Sequence, residues 1–123
     1  TQNFKNILKD YSSGVFNGKV TVKKNAQKTD SNQSNKNLIL SKNAKMNSNP
    51  QLIIHADDVR CSHGSSTGEI DPDALFYMRS RGLDEDTATS LLIDGFAAEI
   101  LETIKNKKIQ KFVLKQFKKW MQN

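Results

Sequence analysis

A chain of 123 residues, 36% hydrophobic and 26% charged, is long enough for one core and too short for two independent ones. Its net charge of +6 belongs to one end: residues 1–104 carry 12 basic against 13 acidic side chains, whereas residues 105–123 hold seven lysines and no acid. The apolar runs Leu38 to Leu40, Leu52 to Ile54 and Ser90 to Ile93 are far too short to cross a bilayer. A single cysteine excludes an internal disulfide framework and suits a reducing compartment.

The opening Thr-Gln-Asn-Phe-Lys-Asn has no basic region leading into an apolar stretch, so no secretory signal is visible. It lacks a methionine and enters strand-like sequence at once, the expectation for a piece of a longer chain. From about residue 14 to 68 the pattern is β. Val20 and Val22 alternate with Lys19, Thr21 and Lys23, Leu38 and Leu40 flank Ile39, and Pro50 precedes Gln51-Leu-Ile-Ile as a strand entry. Val20-Thr-Val-Lys-Lys-Asn-Ala26 lies over Leu38-Ile-Leu-Ser-Lys-Asn-Ala44 at an offset of 18, and Leu52 to Val59 repeats the pattern loosely. Short strands recurring with no helix between them predict a β-solenoid, with an antiparallel meander as the alternative. Asparagine-rich turns suit a solenoid's left-handed corners. Gly64-Ser-Ser-Thr-Gly68 lacks the Gly-Lys-Ser/Thr ending of a phosphate loop and reads as the hinge out of the β layer.

Beyond it the pattern turns helical. Asp71-Pro72-Asp73 is a helix start, with Leu75, Phe76 and Met78 on an apolar side and Arg79, Arg81 and Gly82 at the end. Asp84 begins a second helix, whose expected buried stripe is Ala88, Leu91, Leu92, Phe96, Ile100 and Ile104. Gly95 in its interior predicts a close packing neighbour, because glycine costs a helix about 1 kcal/mol relative to alanine. A third helix, about 107 to 121, sets Ile109, Phe112, Val113, Phe117, Trp120 and Met121 against a lysine face. That face is compatible with plain solvation, with an acidic partner, and with a nucleic acid or a membrane surface. The fold class is therefore α+β: end rungs of a β-helix over residues 1–68, then a small helical domain over 69–123.

Chemistry concentrates in Asp57-Asp-Val-Arg-Cys-Ser-His-Gly64. Alternate residues of a strand share a face, so Cys61 and His63 present a thiol and an imidazole side by side. A zinc site wants four ligands, and His55, Asp57 and Asp58 on one extended strand cannot close around the same metal. The pair is half of a soft-metal or iron–sulfur site, and a cysteine and a histidine with no joint role is the plain alternative. A Cys61–His63 nucleophile–base pair is poorly supported, since such partners meet across a fold. The acids Asp71, Asp73, Asp84, Glu85 and Asp86 are helix-entry residues by position.

A series of collinear blocks then carries a resemblance. Phe16-Asn-Gly-Lys19, Ala26-Gln-Lys-Thr-Asp30, Gln33-Ser-Asn35, Asn37-Leu-Ile-Leu-Ser41, Pro50-Gln-Leu52, Ala56-Asp-Asp-Val-Arg-Cys-Ser-His-Gly64 and Leu75-Phe-Tyr-Met-Arg-Ser-Arg-Gly82 resemble, in order, the C-terminal end of the SufB/SufD family of iron–sulfur cluster assembly scaffolds. The match covers about residues 1 to 104 and fades in the lysine-rich tail. The Asp-Val-Arg-Cys-Ser-His-Gly form resembles SufD, and the His-Glu-Ala segment typical of SufB at this point is missing. The resemblance implies a non-catalytic scaffold in a much longer protein, and a β-helix ending in a helical domain. It also implies a SufB-like paralogue and a SufC-like ATPase as partners, and a transient cluster at the interface with SufB. His63 falls on the cluster-site histidine, with Cys61 beside it. The ATPase contact is expected around Asp71, Phe76, Tyr77, Arg79, Arg81 and Phe96. The implied compartment is bacterial cytoplasm or plastid stroma, with no membrane and no nucleic acid. Alone, this piece is expected to hold no cluster and to self-associate through exposed β edges. The competing functions are a basic-tail nucleic-acid-binding module and a Cys/His-dependent enzyme.

Overall fold

The computed structural model describes residues 1–122, and the chain divides into two compact units, Thr1–Ile70 and Asp71–Asn123. The first unit holds β1 (Gln2–Leu8), β2 (Ser13–Val22), β3 (Asp30–Ile39), β4 (Lys45–Ile54) and β5 (Arg60–Gly68). The second holds α1 (Pro72–Ser80), α2 (Glu85–Leu101) and α3 (Lys107–Gln122). The class is thus α+β. None of the helices is long and apolar enough to cross a membrane, among the described residues.

Odd and even strands part company. One sheet has the order β1-β3-β5 and the other pairs β2 with β4, and every ladder is parallel. Gln2 opposes Gln33, Ser13 opposes Lys45 and Asp30 opposes Arg60, spacings of 31, 32 and 30 residues. An antiparallel meander is excluded by this pairing. The 18-residue self-match is not the structural period either: Val20 pairs with Leu52, and Leu38 with Ile7. It compares strands of different sheets, because each spacing of about 31 contains two strands and two turns. The loose third run, Leu52 onward, is the true neighbour of Val20.

Parity decides what each strand buries. On β3 the side chains Gln33, Asn35 and Asn37 are all buried, Asn35 completely. Facing them from the second sheet are Phe16, Gly18, Val20 and Val22 of β2, which alternate with exposed neighbours. Phe4 of β1 packs on Phe16, ring centroids 4.9 Å apart, and the interior closes with Leu8, Val22 and Ala44. Amides survive in such a place only when bonded. Asn6 Nδ2 donates to Asn35 Oδ1 (3.0 Å) and Asn37 Oδ1 (2.7 Å), and Asn35 Nδ2 donates to Ser48 Oγ of β4 (2.6 Å). Gly18 is required by close approach, since a Cβ there would stand 2.7 Å from Gln33 Oε1 and from the Phe16 ring.

Gly64 to Gly68 lies inside β5 rather than forming a hinge. Its five small polar residues sustain a strand because β3 supplies a parallel ladder over Arg60 to Gly68. The helical unit follows its capping chemistry. Asp71 accepts from the Asp73 backbone N–H (2.9 Å), Asp84 from that of Thr87 (2.9 Å), and Asn106 from that of Lys108 (3.0 Å). Gly82, at φ 94°, follows the Arg81 C-cap in the left-handed region glycine favours. Two details of α2 differ from the periodicity reading. Ile93 is buried at 2% exposure while Leu91 is 47% exposed, because α2 is apolar on several sides. Nothing packs on Gly95: a Cβ there would meet open space.

Two outcomes are expected. Asn35→Ala removes one partner from each of three part-buried hydrogen bonds and destabilises the β unit by about 1–3 kcal/mol in denaturant unfolding. The Thr87 hydroxyl and then the Thr87 backbone N–H hold the Asp84 carboxyl below its ordinary value. A folded-state value below the unfolded one stabilises above the unfolded value, near pH ~4, and that contribution fades as pH falls through the folded value. Far-UV circular dichroism below pH ~4 should therefore show a smaller acid-dependent helix loss in Asp84→Asn, which caps without titrating.

Candidate functional site

β5 is the outer strand of its sheet, bonded to β3 on one side only. Cys61 and His63 sit on it with the parity of Ser65 and Thr67, opposite Ser31 and Gln33 on β3. They therefore project to the same face as the buried amides of β3, two residues and about 7 Å apart along the strand. Cys61 is half-buried, with Sγ 3.9 Å from the Thr29 carbonyl, a weak contact at best. His63 is exposed, and its ring has no hydrogen-bond partner among the described residues.

Register explains what surrounds the pair. Thr67 Oγ1 accepts from Asn37 Nδ2 (3.1 Å), and Ser65 Oγ donates to Ser48 Oγ (2.7 Å). Next in line, Gln33 Nε2 donates to Gln2 Oε1 (2.9 Å), while Gln33 Oε1 is buried with no partner. The other acids and histidine of the segment lie elsewhere. His55, Asp57 and Asp58 belong to the turn between β4 and β5, so they do not share one extended strand with Cys61 and His63. No group of three or more His, Cys, Asp and Glu could hold a metal among the described residues. Thiol plus imidazole is thus a two-donor set on an open edge. It fits part of the coordination of an iron–sulfur cluster, whose ordinary ligand is thiolate with imidazole as an occasional replacement.

The remaining candidates are in the helical unit. Asp71 is the α1 N-cap. Phe76 and Tyr77 are 74% and 59% exposed, and the Arg81 guanidinium lies 5.1 Å from the Tyr77 ring centroid. Arg79 pairs with Glu85 at 3.0 Å in the open, so the pair contributes little stability. Phe76, Arg79, Gly82, Leu83 and Asp84 line a groove of about 690 Å³ at the α1–α2 turn. Phe96 lies half-buried on α2 and is not among the lining residues. Sequence reading did not find Leu83 or the groove. Nor did it find the amide column, although Gln33, Asn35 and Asn37 at alternate positions are a legible sign of polar residues on one strand face.

Comparison with known proteins supplies the setting. The family model for the SUF system FeS cluster assembly SufBD core domain matches residues 1–96. The chain is similar to the iron–sulfur cluster assembly protein SufD of Escherichia coli, 43% identical over 110 residues, which cover 89% of this chain and 26% of that protein. It is also similar to an iron–sulfur cluster assembly SufBD family protein of Synechocystis, 49% identical over 98 residues, 80% of this chain and 22% of the relative. A third relative, the chloroplastic protein ABCI7 of Arabidopsis thaliana, is 42% identical over 102 residues, 81% of this chain and 22% of that protein. The chain thus spans about a quarter of the length of these relatives. With the family model matched from residue 1 to residue 96, the chain belongs to the SufBD family of iron–sulfur cluster assembly proteins and is SufD-like within it.

Proposed function

We propose that this chain is the C-terminal part of a SufD-like scaffold, a non-catalytic subunit that presents His63 to a nascent iron–sulfur cluster at the interface with a SufB-like partner. The observation that carries the reading is the placement of His63. It is an exposed imidazole on the outer strand β5, facing the way the buried columns face, beside a thiol and with no further ligand of its own. Such a donor set is incomplete alone and complete when a second subunit brings thiolate ligands against the strand. Cys61, half-buried behind His63, is the auxiliary donor. The cluster is cargo: a neutral imidazole binds iron less tightly than thiolate and releases it on protonation, which suits assembly followed by transfer.

The parallel pairing of alternate strands at spacings of 31, 32 and 30 residues supports the finer fold reading, in which residues 1–68 are the end rungs of a β-helix. Residues 69–123 form the helical domain of that proposal. Its docking surface for a SufC-like ATPase is the groove at the α1–α2 turn, lined by Phe76 and Arg79, together with Tyr77, Arg81, Asp71 at the opposite end of α1 and the half-buried Phe96 of α2. The open strand edges among the described residues, β1 and β5 in one sheet and β2 and β4 in the other, support self-association of this piece in the absence of its partner. Bacterial cytoplasm or plastid stroma is the compartment of the proposal, the second because one relative is chloroplastic.

The test uses the complete subunit in complex with its SufB-like and SufC-like partners. His63→Ala should leave the complex assembled and reduce cluster loading, read by the visible absorption of the cluster, by about 10-fold or more. Normal loading in that variant removes His63 from the mechanism. Cys61→Ser should change unfolding stability by less than about 1 kcal/mol, since Sγ makes only a 3.9 Å contact. Its cluster loading should fall less than that of His63→Ala.

A further inference from the structure

Three columns of side chains cross the first sheet from β1 through β3 to β5, and they differ in how they end. In the Asn6–Asn37–Thr67 column, donation runs outward: Asn6 Nδ2 donates to Asn37 Oδ1, and Asn37 Nδ2 donates to Thr67 Oγ1. In the Phe4–Asn35–Ser65 column, Asn35 Nδ2 likewise reaches toward β5, at 3.5 Å from Ser65 Oγ. The Gln2–Gln33–His63 column runs the other way. Gln33 Nε2 donates toward β1, to Gln2 Oε1, and Gln33 Oε1 is the amide atom left without a bond, close to Gly18 of β2. That oxygen is the one buried side-chain polar atom without a partner among the described residues, in a residue only 3% exposed. A buried amide oxygen left empty costs about 1–3 kcal/mol and calls for a donor.

Its neighbour in register is His63, one strand away at about 4.8 Å, with an imidazole that has no partner of its own. We infer that Gln33 is the positioning residue for His63: its Oε1 accepts the ring N–H, fixes the tautomer, and leaves the lone pair of the other nitrogen aimed out of the strand edge for iron. A rotation of the exposed His63 side chain makes the contact, whereas the Gln33 amide is held by Gln2 and by the wall that Gly18 provides. Metal-ligating histidines depend on such an acceptor behind the ring, which sets orientation and basicity. Gly18 has a part in this, because any Cβ at that position would displace Gln33 Oε1. The inference rests on the proposed cluster role of His63 only for its purpose; the contact it calls for involves residues of this chain alone.

Long-range proton–nitrogen NMR on the complete subunit at pH 8, where an ordinary imidazole is neutral, reads the tautomer directly. His55→Gln and His63→Gln assign the two rings, and the exposed His55 is the internal reference for a solvated imidazole. One tautomer should dominate at His63, and Gln33→Met, which keeps the length and removes the acceptor, should return it to the mixture shown by His55. A wild-type His63 with the same mixture as His55 overturns the inference, and so does a fixed tautomer that survives Gln33→Met in a folded chain. The wild-type spectrum alone is decisive if the variant does not fold. Because this readout needs no iron, it separates from the cluster test. A solvent-like His63 that is still required for cluster loading sinks the positioning role and leaves the proposed function standing.

Discussion

The β unit depends on one constraint, parallel pairing that brings residue 2 against 33, 13 against 45 and 30 against 60. Parallel in-register neighbours stack like side chains above one another, so a polar residue on one strand meets whatever the next strand offers at the same level. With Asn6, Asn35, Asn37, Ser48 and Thr67 supplied at matching levels, an interior that would otherwise exclude amides becomes a hydrogen-bonded column. Each such bond contributes only about 1 kcal/mol net, and the larger effect is the penalty for leaving one unmade. Register is therefore enforced by polarity as well as by the apolar contacts of Phe4, Phe16, Leu8 and Val22.

A column of this kind has an end, and the end carries unused bonding capacity. β5 has backbone groups on its outer side without a ladder, a half-buried thiol, an exposed imidazole, and behind that imidazole an empty amide oxygen. These are one feature seen four ways, the open edge of a stacked structure. An edge so equipped is poorly suited to being left in water and well suited to a second surface that brings both strand pairing and ligands. In a SufD-like member of the SufBD family, the proposed function draws on this outer strand rather than on a pocket.

The helical unit is built on different physics. Its three helices begin at Asp71, Asp84 and Asn106, each accepting from a backbone N–H of the first turn. The seven lysines of residues 105–123 fall on and just before α3, outside the matched residues 1–96 of the family model. On α3, Val113, Phe117 and Met121 are half-buried, while Ile109 and Phe112 are more than half exposed. The amphipathic pattern of α3 was plain in its sequence, and the exposure of part of its apolar face was not.

Sequence alone determined the two textures of the chain, the helix starts, the pairing of Cys61 with His63 on one strand face, and the family. The first three rest on local chemistry: period-two alternation, capping side chains, and residue spacing along an extended backbone; the family rests on the resemblance of collinear blocks. Tertiary structure decided which strands are neighbours, because the 18-residue similarity reflects shared strand and turn composition whereas pairing follows a spacing of about 31 residues that holds two strands and two turns. It decided that Gly64 to Gly68 stays in β5, since β3 offers a ladder that no local propensity announces. It also brought Gln33 into register with His63. A residue 30 positions away in sequence becomes an in-register neighbour only when a parallel sheet forms, and no local pattern records that distance.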